Sequence, residues 1–456
     1  MQNQGKVFFG LLLVMSMELI DLTVLNTILP MIAGSLDIDA VDARIAITSY
    51  IISLGIFIPL SVWVSNRFGY KMPIILTIAG FIGSSVMCGF APSLLFLVVF
   101  RTAQGFFGAL LLPLTQTTMI RLSDSMLKVS ATISMYMTAS AAVGQLLGAF
   151  LAEYISWRAV FFINAPVGLI GIFFIQFYFK DPFEKQKTSL DWVGLILIGL
   201  SIGLIFTLSN IMAFNSISYL IKIAMGVIPI FLSIFYIFVY KKIKTPILNF
   251  ELFKHKGYSL INLVIFTSKL SLYWLFFAFP IYLYLYIDLA ITTVALIMAS
   301  IAVSTFCIKK FSVLCIQKFG MKTVTITSSF LILLVMVAWG FILEYRVHLS
   351  LILALIPIFG LLSGTYQTAT TAYKLQVVPD KYQGDGNVQG KAIFMIASAF
   401  SISFLGMVYD ISKHILQIEV HMPLFIWALE YCFIVSGIIQ FLITLLVLFL
   451  KDDSVT

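Results

Sequence analysis

Apolar stretches long enough to cross a bilayer recur along almost the whole chain, separated by short polar loops. We count fourteen of them between residues 7 and 450. Because the bilayer core offers no water to the backbone, a stretch of this kind crosses it as an α-helix of about 20 residues. The residues are 61% hydrophobic and 11% charged, unlike soluble domains. The sequence therefore predicts an all-α polytopic membrane protein with fourteen transmembrane helices.

The basic residues indicate which side of the membrane each loop occupies. The net charge of +8 arises from Lys and Arg residues scattered over short loops, which argues against a nucleic-acid partner. Most of them fall in alternate loops, including Lys71, Lys185 and Lys241. Loops rich in Lys and Arg remain in the cytoplasm, so both termini are predicted to be cytoplasmic.

Two longer polar stretches divide the apolar segments into groups. Residues 180–190 follow the first six segments, and residues 241–257 follow two more. The predicted division is a six-helix bundle over residues 1–180, an inserted helix pair with linkers over residues 181–245, and a second six-helix bundle over residues 246–456.

A weak internal repeat supports two equivalent halves. The sequence SNRFGYKMP at 65–73 has a counterpart, IQKFGMKTV, at 316–324, the corresponding loop of the second bundle. Internal repeats with a binding site between them near the membrane midplane are typical of secondary transporters.

Four charged residues lie deep in apolar segments. Glu18 and Asp21 are one helical turn apart in the first segment, and Arg101 and Lys269 lie in two others. A charge at the bilayer centre costs about 2.5–3.5 kcal/mol, so it faces a bundle interior or a water path and marks a proton or substrate site. With a rise of about 1.5 Å per residue, all four lie near one plane. The alternative interpretation is a purely structural ion pair.

We predict that Asp21, Glu18 and Arg101 couple transport to protons. A carboxyl that meets each side of the membrane in turn can load a proton on one side and lose it on the other. The two carboxyls are close enough to titrate as a coupled pair. The alternative for Arg101 is that it only bonds backbone carbonyl groups.

Lys269 is the only basic residue that the sequence places deep in the second half, and we predict that it binds substrate. An interior cation suits an anionic group, and the nearby rings of Tyr273 and Trp274 suit planar or apolar groups. Glu430, near the outer edge of the last segment, is a further candidate for substrate binding or the exit path, or extends to the interface. The alternatives are an ion pair of Lys269 with Glu18, Asp21 or Glu430, and aromatic rings that pack or face lipid.

Several short motifs match a known family. They are IDLTVLNTILP (20–30), SNRFGYK (65–71), FRTAQGFFGA (100–109), the stretch from AVGQLLGAF to WRAVFFINAPVG (142–168), DWVG (191–194) and PILNFELF (246–253). Over about residues 15–255 the chain resembles the fourteen-helix drug:proton antiporters of the major facilitator superfamily. The second half is similar mainly in its hydropathy.

The resemblance implies the major facilitator fold, two six-helix bundles plus two inserted helices, and proton-coupled export. Asp21 occupies the position of the family's carboxylate, and Arg101 and Gln104 fall in the motif implicated in proton handling, where we also assign Gln104 to substrate binding. The loop motif implies gating roles for Asn66, Arg67, Gly69 and Lys71.

The fifth segment carries Gly144 and Gly148, a G-x-x-x-G spacing that permits close helix packing. The chain departs from the family pattern here and in the loop motif. Asn66 replaces the usual Asp, while Gln145 and Ala149 replace a Pro and a Gly.

Other chemistries find no support in the sequence. Residues 384–392 (GDGNVQGKA) resemble a phosphate-binding loop, but the spacing is one residue short and Ala392 replaces the required Ser or Thr. The four Cys and four His residues show no metal, disulfide or catalytic spacing. We predict no enzymatic activity and no cofactor, with the proton gradient as the driving force.

The sequence thus predicts a multi-pass exporter of the bacterial cytoplasmic (inner) membrane. The expected partners are protons, the lipid bilayer and a small organic substrate: a drug, or an anionic or zwitterionic metabolite such as a siderophore. A monomer is expected, with room for accessory periplasmic or outer-membrane export components. The alternatives are a proton-independent facilitator or importer and, more remotely, a membrane sensor or scaffold that transports nothing.

Overall fold

The structure, a computed structural model, describes residues 4–123, 126–185, 189–211, 218–243, 246–248, 250–344, 349–377, 383–414 and 424–449. Sixteen α-helices and no β-strand occur in these residues. The helices are α1 (Gln4–Ser35), α2 (Arg44–Phe57), α3 (Leu60–Phe68), α4 (Lys71–Gly89), α5 (Leu94–Leu122), α6 (Met126–Tyr154), α7 (Ala159–Phe162), α8 (Asn164–Tyr178), α9 (Trp192–Ile211), α10 (Tyr219–Val239), α11 (Lys256–Ile281), α12 (Ile291–Phe319), α13 (Met321–Glu344), α14 (Leu349–Val377), α15 (Gln383–His414) and α16 (Leu424–Thr444).

These helices account for the fourteen predicted segments. Twelve spans are long and apolar enough to cross a membrane. Helices α2 and α3 together make a further span, bent by 54° at Pro59, where a missing N–H and the pyrrolidine ring break the helix. Helix α9 supplies a shorter apolar stretch, Trp192–Leu208. The predicted all-α membrane fold is confirmed.

In the first half, which comprises α1–α8, α1 packs against α6 and α8, while α5 packs against α2 and α4. The approach of α6 to α1 depends on its small residues. A Cβ atom added at Gly144 would lie 2.8 Å from Thr23 Oγ1 and 2.9 Å from Ile20 Cα. The backbones of α1 and α6 are therefore in direct contact at Gly144. Only a residue without a side chain permits this contact.

In the second half, which comprises α11–α16, α11 packs against α15 and α16, and α12 packs against α14. An aromatic cluster fills the space between α11, α13 and α16. The ring of Phe433 lies 4.6 Å from that of Trp274 and 5.3 Å from that of Trp339. Such contacts fix α11 within the bundle.

Four helix pairs connect the two halves: α1 with α11, α1 with α12, α6 with α12, and α2 with α15. At the end that the charge pattern predicts to be outside, Tyr409 Oη donates to Asp39 Oδ2 at 3.4 Å. Nearby, the backbone N–H of Thr292 donates to Glu153 Oε2 at 3.0 Å. These bonds tie the second half to the first at that end.

The helices of the inserted pair pack against each other, and α9 also contacts α2 and α15. The buried carboxylate of Asp191 fixes their connections. It accepts hydrogen bonds from the N–H of Gly194 at 2.7 Å, the hydroxyl of Tyr236 at 2.6 Å and the N–H of Ile247 at 3.1 Å. One side chain thus joins α9, α10 and the linker that follows.

Candidate functional site

Asp21 lies at the centre of a buried polar cluster formed by four helices. Arg101 Nη1 on α5 donates to Asp21 Oδ2 at 2.5 Å. The other oxygen, Oδ1, accepts from Gln104 Nε2 at 2.9 Å and from Asn164 Nδ2 of α8 at 3.1 Å. The Asp21 carboxylate therefore has three side-chain donors.

The spacing within each helix explains how these groups converge. Arg101 and Gln104 are three residues apart on α5, so they share a face, and Arg101 Nη1 also donates to Gln104 Oε1 at 2.7 Å. Asn164 is the first residue of α8, and its Nδ2 also donates to Ser85 Oγ at 2.8 Å. The cluster links α1 to α4, α5 and α8.

Arg101 combines both interpretations that the sequence left open. Besides its ion pair with Asp21, its Nε donates to the carbonyl oxygen of Ala46 at 3.4 Å. Its guanidinium also lies 3.9 Å from the ring centroid of Tyr50. The planar guanidinium group meets a carboxylate, a carbonyl and an aromatic face at once.

Glu18 lies one turn before Asp21 and has different surroundings. Its side chain is buried, and Oε2 has no hydrogen-bond donor within the described part of the chain. A Cβ atom added at Gly108 would lie 3.4 Å from Glu18 Oε1 and 3.2 Å from the Tyr50 hydroxyl, which places both groups beside α5. Glu18 interacts electrostatically with Asp21 and with Lys391 of the second half.

Lys391 corrects the prediction that Lys269 is the only basic residue deep in the second half. Helix α15 begins at Gln383, so Lys391 lies more than two turns inside it rather than at its edge. Lys391 Nζ donates to Gln116 Oε1 of α5. The side chain thus crosses from the second half to the first and lies near Glu18.

Lys269 does not join the carboxylates of the first half. It is 8% exposed, and no carboxylate among the described residues pairs with it, whether Glu18, Asp21 or Glu430. Its Nζ lies 4.6 Å from the ring centroid of Phe394. Lys269 instead lines a cavity of about 160 Å³ together with Tyr273.

The other residues assigned to substrate binding lie elsewhere. Trp274 is fully buried in the aromatic cluster of the second half. Its backbone N–H donates to Ser401 Oγ at 2.8 Å. Glu430 is a half-buried residue of α16 and does not line the cavity of Lys269. Gln104 belongs to the Asp21 cluster.

The loop motif between α3 and α4 forms a tight turn at Gly69, whose φ is +83°. The N–H groups of Tyr70 and Lys71 donate to Asp181 Oδ2 at 2.5 and 3.0 Å, and Lys71 Nζ donates to the carbonyl oxygen of Gln176 at 2.7 Å. Asp181 thus holds the N-terminus of α4. Asn66 is half-buried and Arg67 is exposed.

The structure adds residues to the site that the sequence analysis did not assign. Asn164 stood inside a quoted family motif, and its position in an apolar segment was the available signal. Tyr50 and Gln116 carry no such signal, because one aromatic or amide residue in a span is ordinary. Lys391 was read as part of a failed phosphate loop.

The comparisons with known proteins agree with this architecture. The family model described as the Major Facilitator Superfamily matches residues 11–403. The chain belongs to the major facilitator superfamily. It is therefore a multi-pass membrane transporter by family and by fold.

Several curated relatives align with most of this superfamily member. A putative multidrug resistance protein, MdtD, of Yersinia enterocolitica is 23% identical over 93% of this chain and 90% of its own. A probable transport protein, HsrA, of Haemophilus influenzae is 25% identical over 96% of this chain and 95% of its own. Multidrug resistance protein 3 of Bacillus subtilis is 31% identical over 57% of this chain and 51% of its own.

Solved structures share the fold at lower identity. A bacterial homologue of the human lysosomal transporter Spinster, inward-facing and occupied, superposes with a TM-score of 0.68 at 14% identity, over 98% of this chain and 97% of that one. A D-xylose–proton symporter superposes with a TM-score of 0.63 at 12% identity, over 96% of each chain. These similarities establish the fold alone.

Proposed function

We propose that this protein is a secondary active transporter that exports small organic compounds in exchange for protons. The observation that supports it most is the pair of buried carboxyls, Asp21 and Glu18, on one face of α1. Asp21 is bonded to Arg101, and Glu18 lies toward Lys391 of the other half. A structural ion pair alone would not require the second carboxyl.

The two carboxyls differ in what proton binding would disrupt. A proton on Asp21 weakens its ion pair with Arg101 and frees the guanidinium to move. A proton on Glu18 breaks no hydrogen bond to a guanidinium, but it removes the attraction between Glu18 and Lys391, which lies across the boundary between the halves. Proton binding on α1 is thereby coupled to the contact between the halves.

An antiport cycle follows from alternating access. Substrate taken up from the cytoplasm leaves on the outer side when protons occupy the α1 site, and the protonated site returns and releases its protons inside. Export across the bacterial cytoplasmic membrane, with both termini inside, is part of the proposal. The names of the relatives, multidrug resistance proteins among them, support drugs or other organic compounds as substrates.

Transport by the purified protein in proteoliposomes tests the proposal. Flux is measured with and without an imposed pH gradient for a lipophilic cation, a neutral drug and an organic carboxylate. Antiport predicts uphill flux of a substrate against its gradient and a matching proton flux in the opposite direction.

The competing functions give different results in the same assay. Downhill flux that does not change with the pH gradient would indicate a facilitator rather than an antiporter. The observation that favours a facilitator is Gln145 at the position of the family's Pro. Flux of substrate and protons in the same direction would indicate an importer. Binding without any flux would indicate a sensor.

A further inference from the structure

The cavity beside Lys269 lies in the second half, apart from the Asp21 cluster. It has a volume of about 160 Å³ and is lined by residues of α11, α12, α14 and α15. Lys269 is its one charged lining residue. The cavity lies within one bundle rather than between the two.

Lys269 lacks the partner that a buried lysine needs. An ammonium group removed from water is tolerated only when paired or hydrogen-bonded. The ring of Phe394 at 4.6 Å compensates only in part, because a cation–π contact is weaker than an ion pair. No carboxylate of the described residues approaches it. The missing counter-charge is one that a ligand could bring.

The walls of the cavity indicate the shape of such a ligand. Aromatic side chains, Tyr273, Phe276, Phe359 and Phe394, provide flat apolar surfaces. The uncharged polar groups of the lining residues are the hydroxyls of Tyr273, Thr305 and Ser363 and the amide of Gln367. One cation, a few polar groups and aromatic walls fit a small planar body that carries a single negative charge.

The cavity also borders the proton site. Tyr273 lies near Tyr50, whose ring contacts Arg101. Phe394 and Lys391 are three residues apart on α15, so they lie on one face of it, and Lys391 interacts with Glu18. A ligand against Phe394 and Tyr273 therefore lies one side chain away from Lys391 and Tyr50, which flank the carboxyls.

We propose that this cavity is a binding site for planar organic monoanions, such as aromatic carboxylates, with Lys269 as the counter-ion. This inference rests on the proposed function only in treating the bound anion as a transported substrate. The anion neutralises Lys269, and the aromatic walls hold the ring.

Binding of 2-naphthoate and of its uncharged analogue 2-naphthamide to the full chain in nanodiscs tests the proposal. Calorimetric titration at a single pH, without a gradient, should show tighter binding of 2-naphthoate. Lys269→Gln should weaken the binding of 2-naphthoate by about tenfold to a hundredfold, the range for a lost hydrogen bond to a charged group. The affinity for 2-naphthamide should stay nearly unchanged. Lys269→Arg should keep the preference for the anion.

Two further variants control for folding. Lys310→Gln removes an exposed charge on α12 and should bind 2-naphthoate as the wild type does. Ser363→Met, which fills the cavity, should abolish binding even if Lys269→Gln does not fold. Equal affinity for the acid and the amide in the wild-type protein, or an equal loss of both in Lys269→Gln, would overturn the proposal.

Failure of this site is distinguishable from failure of antiport. Asp21→Asn should still bind 2-naphthoate at equal pH, because the carboxyl of Asp21 does not line the cavity. Binding without proton-driven flux would contradict the proposed function and leave the anion site standing. Proton-driven flux of cations, without binding of 2-naphthoate, would do the reverse.

Discussion

Two carboxyls one turn apart on α1 have unequal surroundings. Asp21 accepts three side-chain hydrogen bonds, one of them from a guanidinium, whereas Glu18 Oε2 has no donor within the described residues. An ion pair inside a bundle fixes geometry more than it adds stability. A proton on Asp21 therefore weakens the ion pair with Arg101, whereas a proton on Glu18 breaks no such pair. The two carboxyls thus differ in which contacts a proton would change.

The first prediction concerns Asp21. Asp21→Asn keeps the shape of the side chain and removes its titration, so proton-driven flux in proteoliposomes should fall to background while substrate exchange at equal pH stays measurable. Asp37→Asn is the matched control, because Asp37 is exposed and its φ of 53° suits Asn. Proton-driven flux of wild-type size in Asp21→Asn would rule out the assigned role.

The second prediction concerns Lys391. Lys391→Gln still offers a donor to Gln116 but removes the positive charge near Glu18. Loss of a nearby cation favours the protonated carboxyl, so the pH dependence of transport should move upward by about 0.5–1 pH unit. Lys391→Arg should restore the wild-type profile. An unmoved profile in Lys391→Gln would show that the charge of Lys391 is not felt at the proton site.

At the scale of elements, the packing of α6 on α1 holds the Asp21 cluster in place. Helix α1 carries both carboxyls, and its contact with α6 has no space for a side chain at Gly144. Helix association in a membrane depends on such close packing, since apolar surface gains little by leaving lipid. The position of Asp21 against Arg101 therefore depends on a glycine of another helix.

The third prediction concerns that contact. Gly144→Ala places a Cβ atom 2.9 Å from Ile20 Cα, so the helices must separate, and the free energy of unfolding should fall by about 1–3 kcal/mol. Gly83→Ala is the matched control, because no atom lies within 4 Å of its added Cβ and Ala favours helix. Thermal unfolding in detergent measures both. Equal midpoints for Gly144→Ala and the wild type would contradict the close contact.

At the scale of the whole molecule, the two halves are joined by polar contacts at their predicted outer end. The bonds of Tyr409 to Asp39 and of Thr292 to Glu153 each connect one half to the other. Alternating access requires such contacts to break and reform in every cycle. The conformation of the structure has this end tied together.

The fourth prediction concerns this contact. In a chain without its native cysteines, Asp39→Cys with Tyr409→Cys should react with a short cleavable bifunctional thiol reagent. Locking the halves should abolish transport, and reductive cleavage of the reagent should restore it. The single variant Asp39→Cys, treated identically, is the control. Transport at the wild-type rate by the cross-linked protein would show that this end does not open.

The sequence by itself determined the membrane fold and identified four charged residues deep in apolar segments. Hydropathy decides which segments cross the bilayer, because every backbone polar group must be satisfied within a helix there. The same rule makes Glu18, Asp21, Arg101 and Lys269 conspicuous, since a charge in an apolar segment needs a reason. Depth along a helix follows from its rise, so a similar depth was predicted for the four charges, and the contact of Arg101 with Asp21 agrees with it.

Only the tertiary structure decided which of these charges meet. The depth of a residue does not determine how its helix is rotated or which helices are its neighbours. In the structure Arg101 pairs with Asp21, whereas Lys269 lines a cavity of its own half. Helix ends are poorly marked in a polar stretch, which placed Lys391 at the edge of its span although α15 begins at Gln383. Asn164 and Gln116 became part of the site through packing of helices far apart in sequence, a relation that local pattern does not contain.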